Sequence, residues 1–130
     1  MATPAEVVGF NLPNEAGEDS FNLVLLLNGD SEAVNIREAT VQNTFEDSYA
    51  IRKGDWVLID SKSGVHSQVL QWFNEQFGYS ENTFPGELYN LKEDISQKNN
   101  LYGNNPEKVT ELKTLLEKYK EEGRSVPNRN

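Results

Sequence analysis

A glycine set between two runs of strand-forming residues is the strongest constraint on how this chain folds. Residues 48–53 (Ser-Tyr-Ala-Ile-Arg-Lys) and 55–60 (Asp-Trp-Val-Leu-Ile-Asp) flank Gly54. A link this short closes only an antiparallel hairpin, and glycine supplies the positive φ that such a turn needs. In the second run Trp56 and Leu58 point to one face, and Val57 and Ile59 to the other. Both faces are apolar, which predicts burial on two sides. Residues 39–43 and 87–92 read as two further strands, with Tyr89 and Leu91 sharing a face.

The helices follow from caps and spacing. Asn105 suits an N-cap, Pro106 the first turn, and Glu107 the positive end of the helix dipole. Val109, Leu112, Leu116 and Tyr119 then form a stripe with Leu115 beside it, and Gly123 ends the helix. The polar tail 124–130 is expected to fray. Residues 67–78 read as a short amphipathic helix, with Ser67 as cap, Val69, Phe73 and Phe77 on one side, and Gly78 as stop. Near the N-terminus, Thr3 and Pro4 open a short helix that Gly9 closes. Ser20 is placed to cap a second, 21–27, which Asn28-Gly29-Asp30 terminates. The predicted architecture is α+β: an antiparallel sheet of about four strands under the C-terminal helix, with short N-terminal helices. Those two N-terminal pieces are too short and too apolar to form a core alone.

Composition removes several function classes. At 130 residues there is room for one domain or a subdomain with arms, not for a large α/β catalytic domain as well. There is no Cys, which excludes disulfides, thiolate metal sites and a cysteine nucleophile, and the one His excludes a His-His metal site. The net charge of −9, from 21 acidic and 12 basic residues, argues against nucleic acid and anionic lipid as partners. The longest apolar run, residues 23–27, is too short to span a bilayer. No signal peptide is legible at the N-terminus.

Individual motifs are modest. His66 has the pKa range of an acid or base but no carboxylate neighbour in sequence, so it reads first as a surface loop histidine. Glu46-Asp47, Glu93-Asp94 and Glu121-Glu122 sit at turns or helix ends, where solvated acids belong, and none stands out as a glycosidase-like pair. The run from Asn28 to Glu32 fails the EF-hand pattern, and no phosphate-binding glycine loop occurs. Trp72, Phe73, Phe77, Tyr79 and Phe84 suit either sugar stacking or packing between loop and sheet, and packing is the expectation. In the Asn-rich loop 97–102, Asn side chains bond nearby backbone and tolerate left-handed conformations, so they are expected to shape a compact connection, with Leu101 and Tyr102 plugging the base of the sheet.

Four segments in order carry a family resemblance: Ala50-Ile51-Arg52-Lys53-Gly54-Asp55-Trp56, Gly86-Glu87-Leu88-Tyr89-Asn90-Leu91, Asn99-Asn100-Leu101-Tyr102, and Gly123-Arg124-Ser125-Val126-Pro127. Together they resemble the C-terminal subdomain of type I, formylglycine-dependent sulfatases, over about the last 90 residues. Ala5-Glu6-Val7-Val8-Gly9, Leu12-Pro13 and Glu18-Asp19-Ser20-Phe21 resemble the end of the catalytic domain in that family. The resemblance implies that residues 1–35 are a remnant of that domain and 36–130 the small subdomain. It implies a parent enzyme that cleaves sulfate esters and binds calcium, with no cofactor held by this chain. The implied partners are the catalytic domain of the parent and, through it, a sulfated small molecule or sugar. A typical bacterial parent is periplasmic or secreted.

The departures from the family bear on function. Its catalytic residue arises in a Cys/Ser-x-Pro-x-Arg motif that opens a buried helix. Ser125-Val126-Pro127-Asn128-Arg129 matches those letters but lies in the tail, so it reads as coincidence. The family's calcium ligands have no counterparts here. Where the family often has a His after the first strand's valine, Gln42 and Asn43 follow Val41. The resemblance leaves Gln42, Asn43 and Thr44, with Lys62 and His66, as candidates for substrate contact. The chain alone is expected to be inactive. The competing expectations are a free-standing carbohydrate- or protein-binding module, and an independent hydrolase.

Overall fold

Gly54 sits at φ +60° and Lys53 pairs with Trp56, so two residues, Gly54 and Asp55, reverse the chain. Positive φ at the first linking residue alone is the arrangement glycine favours in such hairpins. The computed structural model describes residues 1–30, 36–43, 48–62, 70–79 and 81–128. Among them the elements run α1 (Ala2–Val7), α2 (Val24–Leu27), β1 (Thr40–Asn43), β2 (Tyr49–Lys53), β3 (Trp56–Ile59), α3 (Gln71–Phe77), β4 (Glu87–Asn90) and α4 (Pro106–Glu122). The four strands form one antiparallel sheet in the order β1-β2-β3-β4. This is the α+β architecture expected from the sequence.

The chain divides into two compact units, residues 39–116 and residues 1–38 with 117–130. In the first unit the register aligns Val41, Ile51, Leu58 and Leu88 across the sheet. Ile51, Leu58 and Leu88 are fully buried, as are Leu112 and Leu116 of α4. Each such side chain contributes about 1.5–3 kcal/mol by leaving water. Lys53 pairs with Glu111 at 3.2 Å, Lys113 with Asp60 at 2.7 Å, and the Lys108 ammonium lies 5.8 Å from the Trp56 ring centroid. These contacts tie α4 to the sheet, but half-exposed ion pairs contribute little beside the apolar core. On the second face Tyr89 is buried, whereas Val57 and Ile59 are only half-buried. Burial is thus fuller on the face that α4 covers than on the other, where the expected burial is partial.

The second unit departs from its predicted caps. α1 begins at Ala2, so Thr3 lies inside it; the Thr3 hydroxyl accepts from the Leu23 amide at 3.0 Å. Ser20 does not cap α2. Its Oγ accepts from the Met1 ammonium and the Ala2 amide, each at 2.7 Å, and so serves the start of α1 across the chain. α2 is shorter than expected, and Asn22 Oδ1 accepts from Val24 N–H at 3.0 Å at its start. Gly29, at φ +79°, closes it. The tail is anchored rather than frayed through its described residues. Ser125 donates through both its amide and its hydroxyl to Asp19 Oδ1, at 2.9 and 2.7 Å, and Val126 N–H reaches Glu18 O at 3.0 Å.

Candidate functional site

β4 is an edge strand, and the chain that follows it folds back to meet its open side. Leu101 N–H donates to Leu88 O at 2.8 Å, and Asn100 Oδ1 accepts from Leu88 N–H at 3.0 Å. The fully buried Leu88 backbone is therefore satisfied on the side away from β3. Asn100 Oδ1 also accepts from Tyr102 N–H at 2.9 Å, while its Nδ2 donates to Asn82 Oδ1 at 3.0 Å. Asn82 Nδ2 in turn donates to the carbonyls of Lys62, Phe84 and Gly86. Asp94 Oδ2 receives the amides of Lys98 and Asn99, both at 2.7 Å, which closes the turn before the loop.

This work by amides matches the expectation for the Asn-rich loop. The left-handed residue there is Gln97, at φ +53°, and no Asn takes that conformation among the described residues. Tyr102 packs on Phe84 with ring centroids 5.9 Å apart. It also lies where a Cβ on Gly86 would meet it at 2.7 Å.

Between β4 and the loop lies an open groove of about 630 Å³. Its polar walls include Glu87, Asn90, Glu93, Asn99 and Asn104, with Tyr79 and Phe84 on the rim. Gly78, left-handed at φ +72°, reverses the chain after α3, and Tyr79 N–H returns to Asn74 O at 2.9 Å. The Lys98 ammonium then lies 5.6 Å from the Tyr79 ring centroid. Within the groove Tyr89 donates its hydroxyl to Glu87 Oε2 at 2.9 Å. Burial, reinforced by that carboxylate, holds the Tyr89 phenol well above its ordinary pKa. Such a phenol is a poor base and a poor nucleophile near neutral pH.

The described residues singled out from sequence do not line this groove, although the Lys62 carbonyl accepts from Asn82 beside it. Gln42 and Asn43 are exposed on edge strand β1, paired with Ala50 and Tyr49. Lys62 is exposed just beyond β3. All three lie at the end of the sheet opposite the Gly54 turn, with β1 and β3 separated by the width of two strand spacings, about 10 Å. Thr44 and His66 fall outside the described residues, as do Ser67, Val69 and the Glu46-Asp47 pair.

Three of the aromatic set correct another expectation, whereas Phe84 packs on Tyr102 as expected. Trp72, Phe73 and Phe77 are 57%, 37% and 44% exposed, so α3 presents an aromatic surface and does not fill a core. Phe73 and Phe77 stack on each other at 4.3 Å, one turn apart. Sequence reasoning missed Asn82, which carries no motif; its role depends on partners up to 20 residues away. Among the described residues no group of three or more His, Asp or Glu is placed to hold a metal ion. The donor set present therefore does not fit the calcium implied for a parent enzyme. Among the same residues no helix is long and apolar enough to cross a membrane.

No protein-family model matches the chain. The N-acetylgalactosamine-6-O-sulfatase of Bacteroides thetaiotaomicron is 34% identical to it over 121 residues, which is 92% of this chain and 22% of that protein. A solved structure reported under the metabolism of multiple glycosaminoglycans by Bacteroides thetaiotaomicron superposes with a TM-score of 0.67 at 32% identity. It is matched over 92% of this chain and 23% of its own length. The chain thus spans about a fifth of the proteins it matches, and nearly the whole of it is used in doing so.

Proposed function

We infer a supporting role from one premise: this chain belongs with the sulfatases, as a C-terminal segment. Residues 1–35 are read as the end of the catalytic domain and 36–130 as the small subdomain. The parent would hydrolyse sulfate esters, on a sulfated amino sugar if it follows the relative. This segment would stabilise the catalytic domain and form one wall of its pocket, and it would be inactive alone. Hydrolysis of a sulfate ester needs an activated nucleophile and concentrated positive charge for the departing oxygen. In this reading the rest of the parent supplies both.

The observation that carries this reading is the exposed apolar surface of the N-terminal unit. Val7, Val8, Phe10, Leu25 and Leu27 are each more than half exposed, between 57% and 76%. That density of open apolar side chains within 38 residues calls for a covering surface. A catalytic domain, of which these residues are the last part, provides one. Gln42, Asn43, Thr44, Lys62 and His66 are then the candidates for contact with the leaving alcohol.

The test substitutes these five residues in the longer polypeptide and compares kinetics on several sulfated sugars. Altered substrate ranking is expected. Identical kcat/KM on every sugar would remove the five from the pocket.

The exposed α3 aromatics favour a second reading, a free-standing carbohydrate- or protein-binding module. A reading frame that begins at Met1 would favour it. An upstream Cys/Ser-x-Pro-x-Arg motif with acidic metal ligands would exclude it.

A further inference from the structure

We propose that the groove between β4 and the Asn-rich loop binds a neutral, hydroxyl-rich stretch of saccharide. The proposal rests on the sulfatase reading only for the source of the glycan. Three kinds of group meet there. Tyr79 and Phe84 are 41% and 39% exposed; the side of Tyr79 away from Lys98 and the side of Phe84 away from Tyr102 would meet the C–H side of a sugar ring. Gln97, Asn99 and Asn104 bring amides whose side chains make no hydrogen bond with the described residues. Each amide both donates and accepts, which matches vicinal hydroxyls. Glu93 adds a carboxylate acceptor. The groove's volume, about 630 Å³, falls within the range of small-ligand sites.

Charge decides which saccharide fits. Among the described lining residues Glu81, Glu87, Glu93 and Asp94 stand against Lys98. The Lys98 ammonium is turned over the Tyr79 ring. A sulfate group here would meet an excess of like charge, whereas a neutral sugar meets acceptors and donors alone. The groove thus suits an unsulfated neighbour of the sulfated residue in an extended chain. Its walls are also held firmly. Asn82, Asn100 and Asp94 spend their side chains on backbone, so the amides that face outward are carried by a fixed frame.

The test titrates the full 130-residue chain, followed by amide NMR, with a neutral disaccharide containing N-acetylgalactosamine and with its 6-sulfated form. Shifts at Tyr79, Asn99 and Asn104 are expected with the neutral sugar. Tyr79→Ala and Asn104→Ala should each weaken binding by about tenfold. The sulfated form should bind more weakly, by about fivefold at low salt, and the gap should narrow as salt rises. Thermal melts of both variants check that the fold is kept. Absence of shifts at the groove up to tens of millimolar sugar, on the order of the weakest useful affinities, would overturn the proposal. Tighter binding of the sulfated form would overturn it too. Sulfate release by the longer polypeptide is scored separately. Release without sugar binding sinks the groove alone, and binding without release supports the groove while sinking the enzymatic reading.

Discussion

Asn100 donates its side-chain amide to Asn82 Oδ1 at 3.0 Å, one of several contacts that join the loop after β4 to the segment before it. Through it the two side chains satisfy the backbone of Leu88, Tyr102, Phe84, Gly86 and Lys62. The groove and the buried edge of the sheet therefore share one polar frame.

Asn100→Ala should be costly for that reason. It leaves the amide of the fully buried Leu88 without its acceptor. The expected loss is about 1–3 kcal/mol for that group, with more from the broken Asn82 contact. Asn99→Ala, which removes an outward-facing amide, should stay within about 0.5 kcal/mol of the parent. Chemical denaturation of the two variants side by side checks the contrast.

Leu112→Ala tests the core under α4. Leu112 is fully buried, and its truncation opens a cavity against the Ile51-Leu58-Leu88 row. The expected destabilisation is about 2–5 kcal/mol. Lys53→Met, which removes the half-exposed pair with Glu111, should cost less than about 1 kcal/mol.

Gly86→Ala should also destabilise, for a steric reason. A Cβ there would come within 2.9 Å of the Ile59 carbonyl and 2.7 Å of the Tyr102 ring. The tyrosine can swing but the backbone oxygen of β3 cannot, so a loss of about 1–3 kcal/mol is expected. Thermal melting of the variant measures it.

Two groups make the fold sensitive to alkali. The Tyr89 phenol is raised by burial and by Glu87, and the Lys113 ammonium is raised by its bond to Asp60. In each case the folded state holds its proton more tightly than the unfolded chain does. Their contributions are therefore complete below the unfolded values, about 10 for tyrosine and 10.4 for lysine. They are lost as pH rises through the folded ones. Glu111 acts in the opposite sense: Lys108, then Lys53, hold its carboxyl low, so its contribution is lost as pH falls below the ordinary carboxylate range. Tyr89→Phe should flatten the stability profile above pH ~10, and Glu111→Gln should flatten it below pH ~4.5. Denaturant midpoints measured across pH show both slopes.

The elements legible in sequence were those set by local chemistry. Gly54 at a two-residue link dictated the hairpin, and the Val109-Leu112-Leu116 stripe after Asn105-Pro106 dictated α4. Assignments failed where a side chain serves a distant partner. Ser20 has the form of a local cap, yet it bonds the start of α1, 18 residues back. Asn82 has no signature at all, because its partners are fixed by the pairing of β3 with β4. The α3 aromatics carry helical spacing, which reports a face but not what covers it. For the site, sequence pointed to the open end of the sheet near Gln42 and Lys62, while the groove at β4 emerged only from the fold.

Sulfate release from a 6-sulfated N-acetylgalactosamine by the purified chain decides whether scaffold and bond-breaking chemistry are divided as described. No release above the uncatalysed blank is expected, with or without added calcium. Steady turnover by these 130 residues alone would contradict the division and place the nucleophile within this segment.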